Sequence, residues 1–476
     1  MNTVQRIFKN TGLLLIAYLL SYVFAFLYTI YSARYLGVEN FGILSFALAF
    51  TGIIGILSDL GLNTLVTREI ARDKNIIKEY TGNIITIKLI LSLITFGLII
   101  LLVNLMGYSL ENLYVVYLIA LFTLFSNLSM FFYSIFQAFE KMEYQSIGQI
   151  LNSLLIFTGV IIGITYKFDL LKFALIYFIA GLIVLAYAYS TFTWKFFLSK
   201  PKFNWNLSKI IIKSSLPLSL TFIFSLVYFK IDSIILSLIQ GNIAVGIYTA
   251  SYSLMVALTF IPSVFSLSIY PLLSKFHISS KKSLEVSYQK SFKYLFLISL
   301  PIAMCTTFLA DKIIILIYGT AFAESIIALQ ILIWTIPPIF LTYMSRTFLI
   351  SINKENILLK ILFICMIINI TLNLIFIPYL SYIGASIITV ITELTSLGLC
   401  FYYISKYICK IQIQDIIIKP ILAITITSLL IYYLSVNNIN ITVITVISLI
   451  TYFLSLVLFK VFTKNDINLF KKIIKT

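Results

Sequence analysis

Charge is what this sequence lacks most. Only 11% of its 476 residues are Asp, Glu, Lys or Arg, less than half the roughly 25% that a soluble domain carries. A water-facing surface cannot be built from so few charges, so a soluble enzyme or a string of soluble domains is excluded. Histidine is reduced to His277, and cysteine to Cys305, Cys365, Cys400 and Cys409, each alone in an apolar stretch. That leaves no metal-ligand spacing and no disulfide framework, and the thiols read as buried and inert. Acidic residues number 17 against 34 basic ones, a net charge of +17. In a soluble protein such an excess suggests nucleic acid; here no polar domain exists to carry a basic patch, so nucleic acid is excluded as a partner. The basic start MNTVQRIFKN leads to no small-residue cleavage site, so the first apolar run reads as a retained membrane helix.

What is present is apolar: 61% hydrophobic, 16% aromatic, mean hydropathy +1.06. A bilayer-crossing helix needs about 20 mostly apolar residues, because lipid offers no partner to a free backbone group. That rule predicts an all-α polytopic membrane protein of fourteen spans. Six fall at 11–33, 41–62, 84–106, 113–136, 147–166 and 170–193, and six at 210–239, 243–273, 292–309, 326–350, 357–379 and 383–404. Two more fall at 416–436 and 441–462. With the N-terminus inside, 29 of the 34 basic residues lie on inner segments, Arg34, Lys167, Lys172 and Lys312 lie outside, and Lys230 lies within a span. The positive-inside rule demands such a split, so the charge excess is a topology signal that puts both termini on the cytoplasmic side of the membrane. The outer loops are short and there is no extramembrane domain. The closing DINLFKKIIKT sets Ile467, Phe470, Ile473 and Ile474 on one helical face, as an interfacial helix on anionic lipid requires.

An internal repeat divides the chain. Gly37 to Ile43 (GVENFGI) returns 204 residues later as Gly241 to Ile247 (GNIAVGI), each just after the first span of its half. Two six-helix lobes in parallel orientation follow, residues 1–195 and 196–410, with spans 13 and 14 (411–463) and an amphipathic tail (464–476) appended. Parallel repeats of this kind are typical of transporters that bind between lobes and rock between two states.

Charges inside lipid are costly and generally face a cavity. Asp59, near the inner end of span 2, suits a helix-end cap or a gate. Asp232 lies deep in span 7, and Asn369 and Asn373, four apart, share a face of span 11. Thr389 in span 12 lies at matching depth. This set suits Na⁺ ligation or proton transfer, or a hydrogen-bonded cluster that only joins spans; Glu393 lines a cavity or belongs to the same relay. Arg34, Arg68, Lys230 and Arg346, with Lys88 a weaker candidate, suit a substrate phosphate. Ordinary inner-side placement also explains Arg68 and Arg346.

Several segments resemble a known family. ARYLGVENFGILSFALAF, SDLGLNTLVTREIARDK and, most specifically, FKIDSIILSLIQGNIAVGIYTASYSL are similar to the Wzx-type polysaccharide-repeat flippases of the multidrug/oligosaccharidyl-lipid/polysaccharide exporter superfamily. IYGTAFAESIIALQIL and IGASIITVITE also fit, so that spans 1–12 are covered. The resemblance implies that a polyprenyl-(pyro)phosphate-linked oligosaccharide is turned from the cytoplasmic to the outer leaflet by alternating access, for cell-surface polysaccharide assembly. Its implied partners are that substrate, membrane lipids and other polysaccharide-assembly membrane proteins; its only implied cofactor is coupled Na⁺ or H⁺. Related lipid II flippases have a cation site among spans 7, 11 and 12, where Asp232, Asn369, Asn373 and Thr389 fall. Ser237 departs from the glycine common in relatives. The alternatives are a multidrug or amphiphile exporter, usually of twelve spans, and a membrane glycosyltransferase or polymerase. An enzyme of that kind needs catalytic groups on a sizeable outer loop, which this sequence lacks.

Overall fold

Residues 3–197, 201–407, 418–437 and 441–461 are described by the computed structural model. Cys409 and the tail 464–476 lie outside the described residues. Helix is the only regular structure among those described. The first half holds α1 (Thr3–Gly55), α2 (Leu62–Arg72), α3 (Ile77–Leu105), α4 (Leu110–Ala138), α5 (Met142–Thr165) and α6 (Leu170–Lys195). The second holds α7 (Trp205–Gln240), α8 (Asn242–Leu258), α9 (Phe260–Ser279), α10 (Lys281–Tyr318), α11 (Ser325–Leu332) and α12 (Ile336–Ser351). Last come α13 (Glu355–Tyr407), α14 (Lys419–Val436) and α15 (Ile441–Leu458).

Ten helical stretches among the described residues are long and apolar enough to cross a membrane, and two shorter apolar helices, Lys419–Leu434 and Val443–Leu458, follow them. The fold is therefore all-α and built for a bilayer. Both α1 and α13 have 53 residues, about 80 Å if straight and far beyond a hydrocarbon core of about 30 Å. Each bends once, α1 at Gly37 (φ 74°, ψ 177°) and α13 at Ser381 (φ 50°, ψ −135°).

The chain divides into two compact units. The first comprises Met1–Ser253, Ile317–Phe322 and Met366–Ala385; the second comprises Leu254–Leu316, Ala323–Cys365 and Ser386–Thr476.

Within the first unit the two repeat turns share one backbone conformation. Gly241 (φ 82°, ψ 178°) adopts nearly the conformation of Gly37 (φ 74°, ψ 177°), in a region open essentially to glycine alone. The turns also pack reciprocally. A Cβ on Gly42 would stand 1.8 Å from the carbonyl oxygen of Asn242, and one on Gly246 would stand 2.1 Å from that of Val38. Around this crossing Phe41 meets Phe322 edge-on at 6.1 Å, and the Gln240 side-chain amide donates to the carbonyls of Ile377 and Pro378 at 3.1 Å each. Elsewhere α2 buries Leu62, Leu65, Val66 and Ile70, one helical stripe, against Phe131, Phe132 and Phe136 of α4. Arg68 and Arg72 are left on its outer side.

In the second unit α15 is fastened along α10 at three levels. Lys293 Nζ donates to the Val461 carbonyl at 2.6 Å, the Tyr452 hydroxyl donates to the Leu297 carbonyl at 3.0 Å, and the Cys305 thiol lies 3.8 Å from the Ser448 hydroxyl. Lys293 is buried, and its contact supplies a cation to carbonyls at a helix end, where positive charge is favoured.

Candidate functional site

The helical ladder fails at the end of α1 and is replaced by a single tight turn, Ile56–Ser58, followed by left-handed Leu60 (φ 44°) and Gly61 (φ 79°). A break inside an apolar helix frees carbonyls that need partners. Asn127 of α4 supplies one: its Nδ2 donates to the Gly55 carbonyl at 2.9 Å and to the Ser58 hydroxyl at 2.8 Å. Gly61 lets α7 approach closely, since a Cβ there would stand 2.6 Å from the Ser215 carbonyl oxygen.

Asp59 sits in this break and plays two parts. Its Oδ1 accepts the Asn63 backbone N–H at 3.3 Å, capping α2. The same oxygen accepts Lys88 Nζ at 2.7 Å, and Nζ also reaches the Asn127 carbonyl at 3.4 Å. The Lys88 side chain is 1% exposed and that of Asp59 21%. The cation is therefore sealed in the protein while the carboxylate borders a cavity.

That cavity has a volume of about 780 Å³, within the range of ligand sites. Asp59, Asn63, Thr67, Arg68, Asn127 and Gln137 give it carboxylate, amide, hydroxyl and guanidinium groups, while Phe222 and Phe229 of α7 add aromatic rings. Arg68 is exposed and pairs with the neighbouring Glu69 at 2.8 Å.

A second polar cluster in the first unit joins α7, α8 and α13. Asn373 Nδ2 donates to Asp232 Oδ1 at 2.7 Å and to Asn369 Oδ1 at 3.1 Å, and the Tyr248 hydroxyl donates to Asp232 Oδ2 at 2.8 Å. Asp232, Asn369 and Asn373 are all buried. Asn373 Oδ1 has no hydrogen-bond partner among the described residues, so one hard oxygen is left over beside a carboxylate. Tyr248→Phe should lower stability by about 1.5–3 kcal/mol, the usual worth of a hydrogen bond to a charged group. Thermal melting in detergent checks this, and an unmoved transition would count against that hydroxyl as a support of Asp232.

Thr389 and Glu393 are buried in the second unit, on the last part of α13. Arg346 of α12 lies in that unit too, with Nη2 3.4 Å from the Ser396 hydroxyl, one helical turn beyond Glu393 and on its face. Arg34 is exposed on α1 and Lys230 on α7, and neither lines the cavity. Three participants escaped the sequence. The sequence offers Lys88 as a phosphate ligand and not as the partner of Asp59, and it gives no sign of Asn127 or Tyr248. Nothing in the 29-residue spacing of Asp59 and Lys88 announces a pair.

Comparison with known proteins gives a consistent set. A family model described as polysaccharide biosynthesis protein matches residues 7–277, more than half the chain, and one described as MatE matches residues 217–375. The capsular polysaccharide biosynthesis protein CapF of Staphylococcus aureus is 25% identical over 84% of this chain and 99% of its own. The uncharacterized membrane protein MJ1375 of Methanocaldococcus jannaschii is 25% identical over 81% of this chain and 95% of its own. Among solved structures, the lipid II flippase MurJ in an inward closed conformation superimposes with a TM-score of 0.70 at 15% identity, over 93% of this chain and 97% of that one. A multidrug resistance MATE transporter in an inward-facing conformation gives 0.65 at 19% identity, over 81% and 95%. The shared fold is that of multi-pass membrane transporters.

Proposed function

We propose, since the chain belongs to the polysaccharide biosynthesis protein family, that it carries a lipid-linked oligosaccharide across the plasma membrane, from the cytoplasmic to the outer leaflet, by alternating access. The observation that carries this is the lining of the cavity beside the α1 break. Sugar hydroxyls need acceptors and donors at close spacing, which Asp59, Asn63, Asn127 and Gln137 supply. Sugar faces favour aromatic rings, which Phe222 and Phe229 supply. The carboxylate is already balanced by Lys88, so it can accept hydroxyls without charging the cavity. Arg68, on the same wall, suits the (pyro)phosphate. In this account residues 1–195 and 196–410 act as the two lobes and both termini are cytoplasmic. A multidrug exporter would have less use for so many hydroxyl and amide groups in one wall.

A photoreactive side chain placed at Phe222 should label a radioactive lipid-linked oligosaccharide, and one placed at Leu93 of α3, exposed and outside the cavity lining, should not. Equal labelling by a polyprenyl phosphate without sugar would overturn the role given to the glycan.

Coupling is assigned to the Asp232 cluster. Carboxylate and amide oxygens suit a hard cation, and the unpartnered Asn373 oxygen beside Asp232 fits such an ion or a transferred proton. Na⁺ would be held by Asp232 with the amide oxygens of Asn369 and Asn373. Asp232→Asn should abolish the response of transport to a Na⁺ or proton gradient. Gradient-dependent transport at the wild-type level in that variant would refute the assignment.

A further inference from the structure

A second concavity of the first unit lies away from the polar cavity, between α3 and the start of α7. It encloses about 520 Å³. Ile87, Ile90 and Leu91 form its α3 wall, and Ile212 and Leu216 its α7 wall. At its mouth Phe203 and Trp205 are 54% and 70% exposed, as interfacial aromatic anchors are.

Besides the Trp205 indole, three polar side chains of α7 line this apolar surface. Lys209 and Lys213 are exposed and stand four apart, on one face. Among the described residues no carboxylate lines the groove, and neither lysine forms an ion pair. Ser208 is buried, lines the groove, and its hydroxyl has no partner among the described residues. Residues 208–213 span about 8 Å of helix, a compact patch of unsatisfied donors beside an apolar slot. The adjoining hollow adds Lys78 and Lys202 against one carboxylate, Glu79.

The slot is also held in shape. The Lys202 N–H donates to the Gly82 carbonyl at 3.1 Å, the Thr86 hydroxyl to the Lys202 carbonyl at 2.9 Å, and the Asn204 N–H to Asn83 Oδ1 at 2.7 Å. The Asn204 side chain caps α7 by accepting the Leu207 N–H at 3.2 Å. A preformed slot binds without an ordering cost.

We propose that this groove binds one anionic phospholipid from the leaflet on the lysine-rich side. Its phosphate rests on Lys209 and Lys213, and one acyl chain lies between α3 and α7. Among the described residues the groove offers a single hydroxyl and no amide or carboxylate, so it lacks the closely spaced acceptors that sugar hydroxyls need. Its walls accept a molecule whose only polar part stays at the interface. The inference is independent of what the polar cavity carries.

The test is native mass spectrometry of the full chain in detergent, with phosphatidylglycerol, phosphatidylcholine of the same chains, and inorganic phosphate. At roughly 1 kcal/mol per lysine near an anionic surface, the wild type should retain one phosphatidylglycerol about 10- to 30-fold more tightly than phosphatidylcholine. Lys209→Gln/Lys213→Gln should erase that preference, while Lys281→Gln/Lys282→Gln, exposed lysines of the second unit, should keep it. Ile212→Trp should block retention with the charges intact, by filling the slot. Wild-type preference in the Lys209/Lys213 variant, or equal loss in the Lys281/Lys282 control, would overturn the proposal. So would displacement of the lipid by inorganic phosphate alone, which would mark an adventitious anion site. Melting temperatures without lipid confirm that each variant is folded.

Discussion

Asp59→Asn should destabilise the fold by about 3 kcal/mol, and Lys88→Met should cost markedly less. The two residues form one ion pair, but they are buried unequally. Removing one partner of a buried pair generally costs about 3–5 kcal/mol, because the other charge is left uncompensated. Lys88 is sealed at 1% side-chain exposure, so without the Asp59 carboxylate its ammonium keeps, among the described residues, the neutral Asn127 carbonyl at 3.4 Å. Asparagine still offers an oxygen to Nζ, which keeps the loss near the low end. Lys88→Met instead leaves a carboxylate that borders the cavity and still caps α2 through the Asn63 N–H, and methionine fills the lysine's apolar path. The double variant Asp59→Asn/Lys88→Met should recover much of the loss. Thermal and denaturant unfolding in detergent measure all three; equal losses in the two single variants would contradict the asymmetric burial.

Gly42→Ala should prise apart the two repeat turns. Its Cβ would meet the Asn242 carbonyl oxygen at 1.8 Å, the Asn242 carbonyl carbon at 2.8 Å and the Gly246 nitrogen at 3.0 Å. All three are backbone atoms, so no side chain can rotate away and the two segments must separate by more than an ångström. Gly246→Ala should do the same through the Val38 carbonyl. If transport alternates between states with this crossing made and broken, either variant removes the first state and transport stops. Spin labels at Glu39 and Ile243, exposed positions on the two turns, should report a longer distance in Gly42→Ala than in the parent. An unchanged distance distribution would show that the crossing tolerates a methyl group.

Much of this fold is legible in the sequence because its causes are local. Hydropathy runs declare the helices, since lipid forces every backbone group to be paired within the helix. The Gly37 and Gly241 turns are legible because their φ of 74° and 82° leaves little choice of residue. Asn369 and Asn373 are legible as a pair through their spacing of four, and Asp232 through its depth in an apolar helix. The rest depends on partners distant in the chain. Tyr248 reaches Asp232 from the next helix, one tyrosine among 31. Lys88 reaches Asp59 across a break whose local sign is the Asp-Leu-Gly of residues 59–61. Ser208 is an ordinary helical serine until its burial beside two lysines is seen.

Leaflet transfer is the activity that tests a lipid-linked glycan flippase most directly. A fluorescent polyprenyl-pyrophosphate oligosaccharide is placed in both leaflets of proteoliposomes, and the fraction shielded from an external reagent is followed. The full chain should empty the shielded pool, a sugar-free phospholipid probe should stay where it is, and Gly42→Ala should restore the protein-free rate. Transfer no faster than in protein-free vesicles, or equal movement of both probes, would contradict a flippase selective for lipid-linked glycans.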